Sequence, residues 1–211
     1  MTRPKMSCPV TARRRTVVGV AAAALGLSGC GVWAGTAEPP TVQPGELAAA
    51  DGRPCPTDLP LGEDPSGLGF GTERAAAQLP HLLEPQETWV CQYDYVDPTV
   101  DAGVTERGWR LTEDPRPVAS DDLPALRSAL DDLTLPPRHQ ACPADLGPRW
   151  MVAFSHDGDL TGVVVDDYGC RSVRLTDDPH ATPPGADDQD GTVGGVLDGG
   201  SAVLEAVQLG R

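Results

Sequence analysis

The sequence predicts an α+β fold of two small related half-units. Each is an antiparallel β-meander with a helix, disulfide-stapled, and both follow an N-terminal signal and tether. Three observations predict it. Strand-length apolar runs separated by turn signals fill residues 150–175. Leu123, Leu126, Leu130 and Leu133 recur at spacings of three and four, the period of a helix with one apolar face. Two short motifs also occur twice in the same order. Cys55-Pro56-Thr57-Asp58-Leu59 recurs as Cys142-Pro143-Ala144-Asp145-Leu146, and Arg110 to Pro115 (RLTEDP) as Arg174 to Pro179 (RLTDDP). Trp89-Val90 and Trp150-Met151 fall in corresponding places, whereas Cys91 and Cys170 do not superpose. Duplication places the half-units at 55–137 and 138–211; chance similarity in a biased composition is the competing explanation.

In the first half-unit, Gly71 to Leu83 starts helix-like with Thr72 as N-cap, and Pro80 should end or kink it. Thr88 to Val96 (TWVCQYDYV) is the strongest strand of this half, and Val104 to Leu111 is a weaker one. Ser120 to Leu133 is its best helix, with Ser120 as cap, acids in the first turn and an apolar stripe that reads as core packing. The second half has a clearer pattern. Trp150 to Phe154 and Leu160 to Asp166 are strands around the hairpin signal His156-Asp157-Gly158-Asp159. Asp167-Tyr168-Gly169 turns into a third strand from Cys170 to Leu175. Residues 177–195 read as a long acidic loop, and Ser201 to Leu209 as a short final helix.

Ahead of both half-units stands a basic and then apolar stretch. Arg13-Arg14-Arg15 precedes an apolar run from Val17 to Gly29, 29 − 17 + 1 = 13 residues long. Crossing a bilayer takes about 20, so a cleaved export signal over residues 1–29 fits better than a spanning helix. The run ends in Leu27-Ser28-Gly29-Cys30, and the whole resembles a bacterial lipoprotein signal peptide with its lipobox. That resemblance covers residues 1–30. It implies cleavage before Cys30, a diacylglycerol thioether on Cys30 with palmitate-type acyl chains, and a place on the extracytoplasmic face of the cell membrane. More than one acyl chain makes the anchor stable. Plain secretion with Cys30 as an ordinary thiol is the alternative. Arg14-Arg15 also fits twin-arginine export, although Arg13 stands where Ser or Thr is usual, so the route stays open. Residues 30–54, rich in Pro and small residues, read as the lipidated cysteine and a flexible tether.

Composition fits export. The chain has no Ile, no Asn and one Lys, Lys5, a bias that points to a G+C-rich genome and resembles actinobacterial exported proteins. Removing residues 1–29 takes away five basic residues and no acid, leaving 16 − 5 = 11 basic against 31 acidic, a net charge of −20. Phosphate backbones need Lys and Arg, so nucleic-acid binding is excluded. With Cys8 in the signal and Cys30 lipidated, Cys55, Cys91, Cys142 and Cys170 remain, enough for two disulfides. Three connectivities are possible. The half-unit reading favours Cys55–Cys91 and Cys142–Cys170, each worth roughly 3–4 kcal/mol on chain entropy. Zinc is disfavoured because no pair has the C-x₂₋₄-C spacing.

Catalytic motifs are scarce. Ser155-His156-Asp157 invites a triad reading, but neighbours on a strand point to opposite faces, and there is no Gly-x-Ser-x-Gly elbow. His81, His139, His156 and His180 lack metal-ligand spacing. Asp187-Asp188-Gln189-Asp190-Gly191 resembles part of an EF-hand loop, yet Ala186 and Leu197 stand where its first and twelfth ligands belong. No metal and no cofactor is expected, and no catalytic residue. The reading is a non-enzymatic recognition module, anchored to the membrane by lipid on Cys30 and facing an envelope partner. CPADL and YGCRSV around its second-half hairpin resemble repeats in uncharacterised actinobacterial lipoproteins, which bring no known activity. The alternatives are a carboxylate-based envelope enzyme such as a cell-wall hydrolase, and an acidic cation or small-ligand carrier.

Overall fold

Alternation along three strands explains most of the architecture. The computed structural model describes residues 45–143 and 145–208; the signal, Leu27, Ser28, Gly29 and Cys30 lie outside the described residues. The strands are β1 (Glu87–Val96), β2 (Gly108–Leu111), β3 (Arg116–Pro117), β4 (Arg149–His156), β5 (Asp159–Asp166) and β6 (Val173–Thr176). They form one antiparallel sheet of order β2-β1-β4-β5-β6, with β3 following β2 along the same edge of β1. The helices are α1 (Glu46–Ala49), α2 (Leu123–Asp131) and α3 (Gly200–Gln208). The protein is thus mixed α+β with an antiparallel sheet and two disulfides, Cys55–Cys91 and Cys142–Cys170.

Both faces of the sheet are buried, which is why its central strands read as nearly continuous apolar runs. On one face Val90, Trp150, Val152, Phe154, Val163, Val165, Val173 and Leu175 pack against α2 through Leu126, Ala129 and Leu130. Val203, Leu204, Ala206 and Val207 of α3 complete that layer. On the other face Cys91, Tyr93, Trp109, Met151, Ala153 and Val164 pack against a helix-free segment carrying Cys55, Leu59 and Phe70. Each such Val or Leu contributes about 1.5–3 kcal/mol on burial.

The β4–β5 hairpin has the two-residue turn that its sequence signals. Asp157 (φ 54°) and Gly158 (φ 92°) are both left-handed, as a type I′ turn between right-twisted strands requires. Chain segments cover the outer edges of the sheet. Leu197 pairs with Val173 on β6, and the 57–59 stretch hydrogen-bonds to Trp109 and Leu111 on β2. Covered edges cannot template pairing with another chain.

Several expected elements differ. No helix forms over 71–83. Gly71 has φ +82°, the Ala76 N–H donates to the Val196 carbonyl, and the Val196 N–H donates to that of Arg74, so this backbone pairs across the fold. Pro80 would also leave barely two turns, too short to stand alone. Helix α2 starts at Leu123 after Asp122, whose side chain makes no cap; Ser120 lies in the preceding turn. The weaker strand is confined to Gly108–Leu111, and the third strand of the second half starts at Val173 because Gly169 and Arg171 are left-handed. The expected tether does not reach residue 54. The Leu47 N–H donates to the Gly158 carbonyl, Glu46 accepts from the Leu160 N–H, and Ala50 and Cys55 are buried. Finally, β1 pairs with β4 from Glu87 to Tyr93, so strands from both sequence halves share one sheet. The matched motifs also sit unequally: Leu59 is buried whereas Leu146 is 61% exposed.

Candidate binding cleft

Strand parity builds a buried charge cluster on the helix-free face. Arg149 at the start of β4 lies directly opposite Asp166 at the end of β5, and Arg174 on β6 faces Val164, diagonal to Asp166. All three therefore project from the same face. The Asp166 carboxylate accepts from Arg149 Nε at 2.6 Å and from Arg174 Nη1 at 2.8 Å. Their side chains are only 5–6% exposed. Two guanidiniums and one carboxylate leave a net positive charge inside a protein of formal charge −15.

The loop over this face holds Arg149 in place. Gly69 and Gly71, both left-handed, lie in a stretch whose carbonyls turn inward. The Gly69 carbonyl accepts from Trp109 Nε1 at 2.8 Å and from Arg149 Nη1 at 3.5 Å. The Phe70 carbonyl accepts from Arg149 Nη2, and that of Thr72 accepts from Arg174 Nε at 2.9 Å. The Arg149 guanidinium carbon stands 4.3 Å from the centre of the Trp109 ring, a cation–π contact that burial strengthens. Tyr168 stacks on the same indole, with centroids 5.8 Å apart, and its hydroxyl accepts from Arg149 Nη2 at 3.0 Å. Burial drives the Tyr168 pKa well above the usual tyrosine range. The phenol therefore stays protonated. Phe70 and Tyr95 complete the aromatic wall.

Above the charges opens a cleft of about 380 Å³, within the usual size range of small-molecule sites. Arg149 and Arg174 lie in its lining with Leu59, Leu61, Phe70, Pro183 and Pro184; Glu63, Asp64, Arg107 and Asp187 contribute its other charges. The loop is fixed by Asp64, which accepts from the Ser66 N–H at 3.1 Å, the Ser66 hydroxyl at 2.6 Å and the Gly69 N–H. Partial burial of the Asp64 carboxyl raises its pKa, but these hydrogen bonds outweigh that and hold it below the ordinary aspartate value. Arg74 pairs with Asp187 beside the cleft, with both side chains more than half exposed, an ion pair worth little to stability. Fixed guanidinium donors beside apolar walls suit the orientation of a small polar ligand.

Sequence reasoning did not single out Arg149, Asp166 or Arg174. The available signal was charge inside apolar strands: Arg149 precedes Trp150-Met151-Val152, Asp166 closes a valine run, and Arg174 lies between Val173 and Leu175. The residues that drew attention are apart. Ser155 is buried on one face of β4, while His156 bonds to the Glu84 carbonyl and lies 3.7 Å from Asp157. His180 contacts the Arg53 carbonyl. In the loop resembling part of an EF-hand, Asp187 pairs with Arg74 and the Asp190 N–H donates to Asp177. Among the described residues no three His, Cys, Asp or Glu side chains converge as metal ligands, and no helix is long and apolar enough to cross a membrane. The disulfides brace the surroundings. Cys55–Cys91 ties the covering segment to β1, and Cys142–Cys170 joins the approach to β4 to the turn before β6. No known family matches this chain, and no curated protein or solved structure is significantly similar to it.

Proposed function

We propose that this chain is a lipid-anchored extracytoplasmic binding module that recognises its ligand in the cleft over Arg149, Asp166 and Arg174 without transforming it. The observation that carries the reading is a cleft of about 380 Å³ set on two buried guanidiniums. Such groups are costly to bury and are held here by side-chain and backbone acceptors. The cleft's arginine donors are fixed by those acceptors rather than poised for proton transfer. The lipobox Leu27-Ser28-Gly29-Cys30 supports the anchor on Cys30 and the extracytoplasmic location; signal cleavage would release the mature chain from residues 1–29. The two halves are read as products of a duplication, supported by the recurrence of Cys55 to Leu59 as Cys142 to Leu146 and of Arg110 to Pro115 as Arg174 to Pro179 in the same order.

Site-specific photo-crosslinking in native membranes tests this reading. A photoreactive residue replaces Leu61 in the cleft lining or, as control, Val100, which is 79% exposed and lies outside that lining. A recurrent adduct at position 61 that is missing at position 100 is expected. Equal labelling at both positions, or none at 61, would contradict it.

A further inference from the structure

We infer that the ligand is a small monocarboxylate. Its carboxylate would sit on the free edge of Arg174, and its apolar part would lie against Leu61, Phe70 and Pro183. This rests on the cleft being a binding site and adds the chemical class. Hydrogen-bond accounting comes first. A guanidinium has five N–H donors. Among the described residues, Arg174 gives one to the Thr72 carbonyl and one to Asp166, leaving 5 − 2 = 3, including both on Nη2. The Arg149 guanidinium, by contrast, is committed to four acceptors, in Asp166, Gly69, Phe70 and Tyr168. Arg174 is also about 95% buried and lines the cleft. The remaining N–H groups belong to a residue of the cleft lining, where water or a ligand supplies their acceptors. The N–H groups left on Nη2 and Nη1 are charged donors, which a carboxylate oxygen accepts more strongly than a neutral amide oxygen does.

Charge selects among anions. Arg149, Arg174 and Asp166 sum to +1, which one negative charge neutralises. Glu63, Asp64 and Asp187 also belong to the cleft lining, with Arg107 as a third cation and Arg74 paired to Asp187. Together with Arg149, Arg174 and Asp166 these make four positive and four negative charges, which leaves no positive excess for a doubly charged phosphate. The remaining wall is apolar, so affinity comes from a hydrocarbon portion and selectivity from the charged end.

The test uses the full chain in detergent micelles and reads thermal stabilisation and tryptophan fluorescence. The probes are acetate, isovalerate, hexanoate and phenylacetate, each beside its primary amide, and inorganic phosphate. At least one acid should bind saturably and raise the melting temperature, with its amide weaker by at least about tenfold. Arg174→Lys keeps the charge facing Asp166 but removes the Nη2 donors that face the cleft, and should weaken that acid by a similar factor. Leu61→Glu places a like charge in the half-exposed wall; both acid and amide lose the apolar contact there, and the acid should weaken more than its amide. Amides binding as well as acids, or phosphate binding best, would overturn the carboxylate assignment and leave the cleft as a site. Stabilisation by none of the probes would also overturn it, and crosslinking at position 61 would then decide separately whether the cleft binds anything.

Discussion

Asp166 is the residue on which the candidate site turns. It is the one carboxylate shared by two buried arginines, so Asp166→Asn leaves both guanidiniums without a counter-charge. Removing one partner of a buried charge cluster costs roughly 3–5 kcal/mol, and urea unfolding of this variant should show a loss of that order. Asp64 gives a pH dependence. Its folded pKa lies below the ordinary value of 3.8 because hydrogen bonds from Ser66 and Gly69 outweigh the opposing effect of burial. Its contribution is therefore present above the unfolded pKa and lost as pH falls through the lower folded value. Amide exchange at Ser66 and Gly69, corrected for intrinsic rate, should speed up in that acid window, whereas Asp64→Ala should exchange fast at every pH. These roles were not legible beforehand. Strand periodicity assigns faces, but deciding that the Arg149 face is covered needs the non-local packing of Leu59 and Phe70 on it.

At the scale of elements, local signals were legible where backbone chemistry decided them. Asp157-Gly158 specifies its turn because both positions need positive φ, and the leucine spacing in α2 survives in Leu126 and Leu130, which are buried. Gly158→Val should therefore destabilise the hairpin by about 1–2 kcal/mol, the usual cost of a left-handed side-chain residue, measured by thermal unfolding. Residues 71–83 were misread because alanines favour a helix while their hydrogen bonds go to Val196. Local propensity cannot register that pairing. Helix α1 and strand β3, four and two residues long, form only because β5 and β1 are there to receive them. The expectation of two disulfides holds, as Cys55–Cys91 and Cys142–Cys170. Replacing Cys55 and Cys91 by Ser should cost about 2–5 kcal/mol and loosen the segment that roofs the arginines, read as faster amide exchange across residues 55–72.

For the whole molecule, the sheet unites what the sequence separates. Both halves supply strands to one layer, so the cleft's lining comes from 59–72 and Arg107 in the first half and from Arg149, Arg174 and 183–187 in the second. Repeated motifs pointed to two halves but gave no sign of their joint sheet, because pairing of β1 with β4 depends on contacts some sixty residues apart. The proposed lipid anchor on Cys30 would hold the cleft outside the membrane. The most direct test is palmitate labelling of the native chain and of Cys30→Ala, followed by membrane fractionation and protease treatment of intact cells. The account predicts a labelled, membrane-bound, protease-accessible wild type and an unlabelled Cys30→Ala. An unlabelled wild type that stays inside the cell and out of protease reach would contradict it.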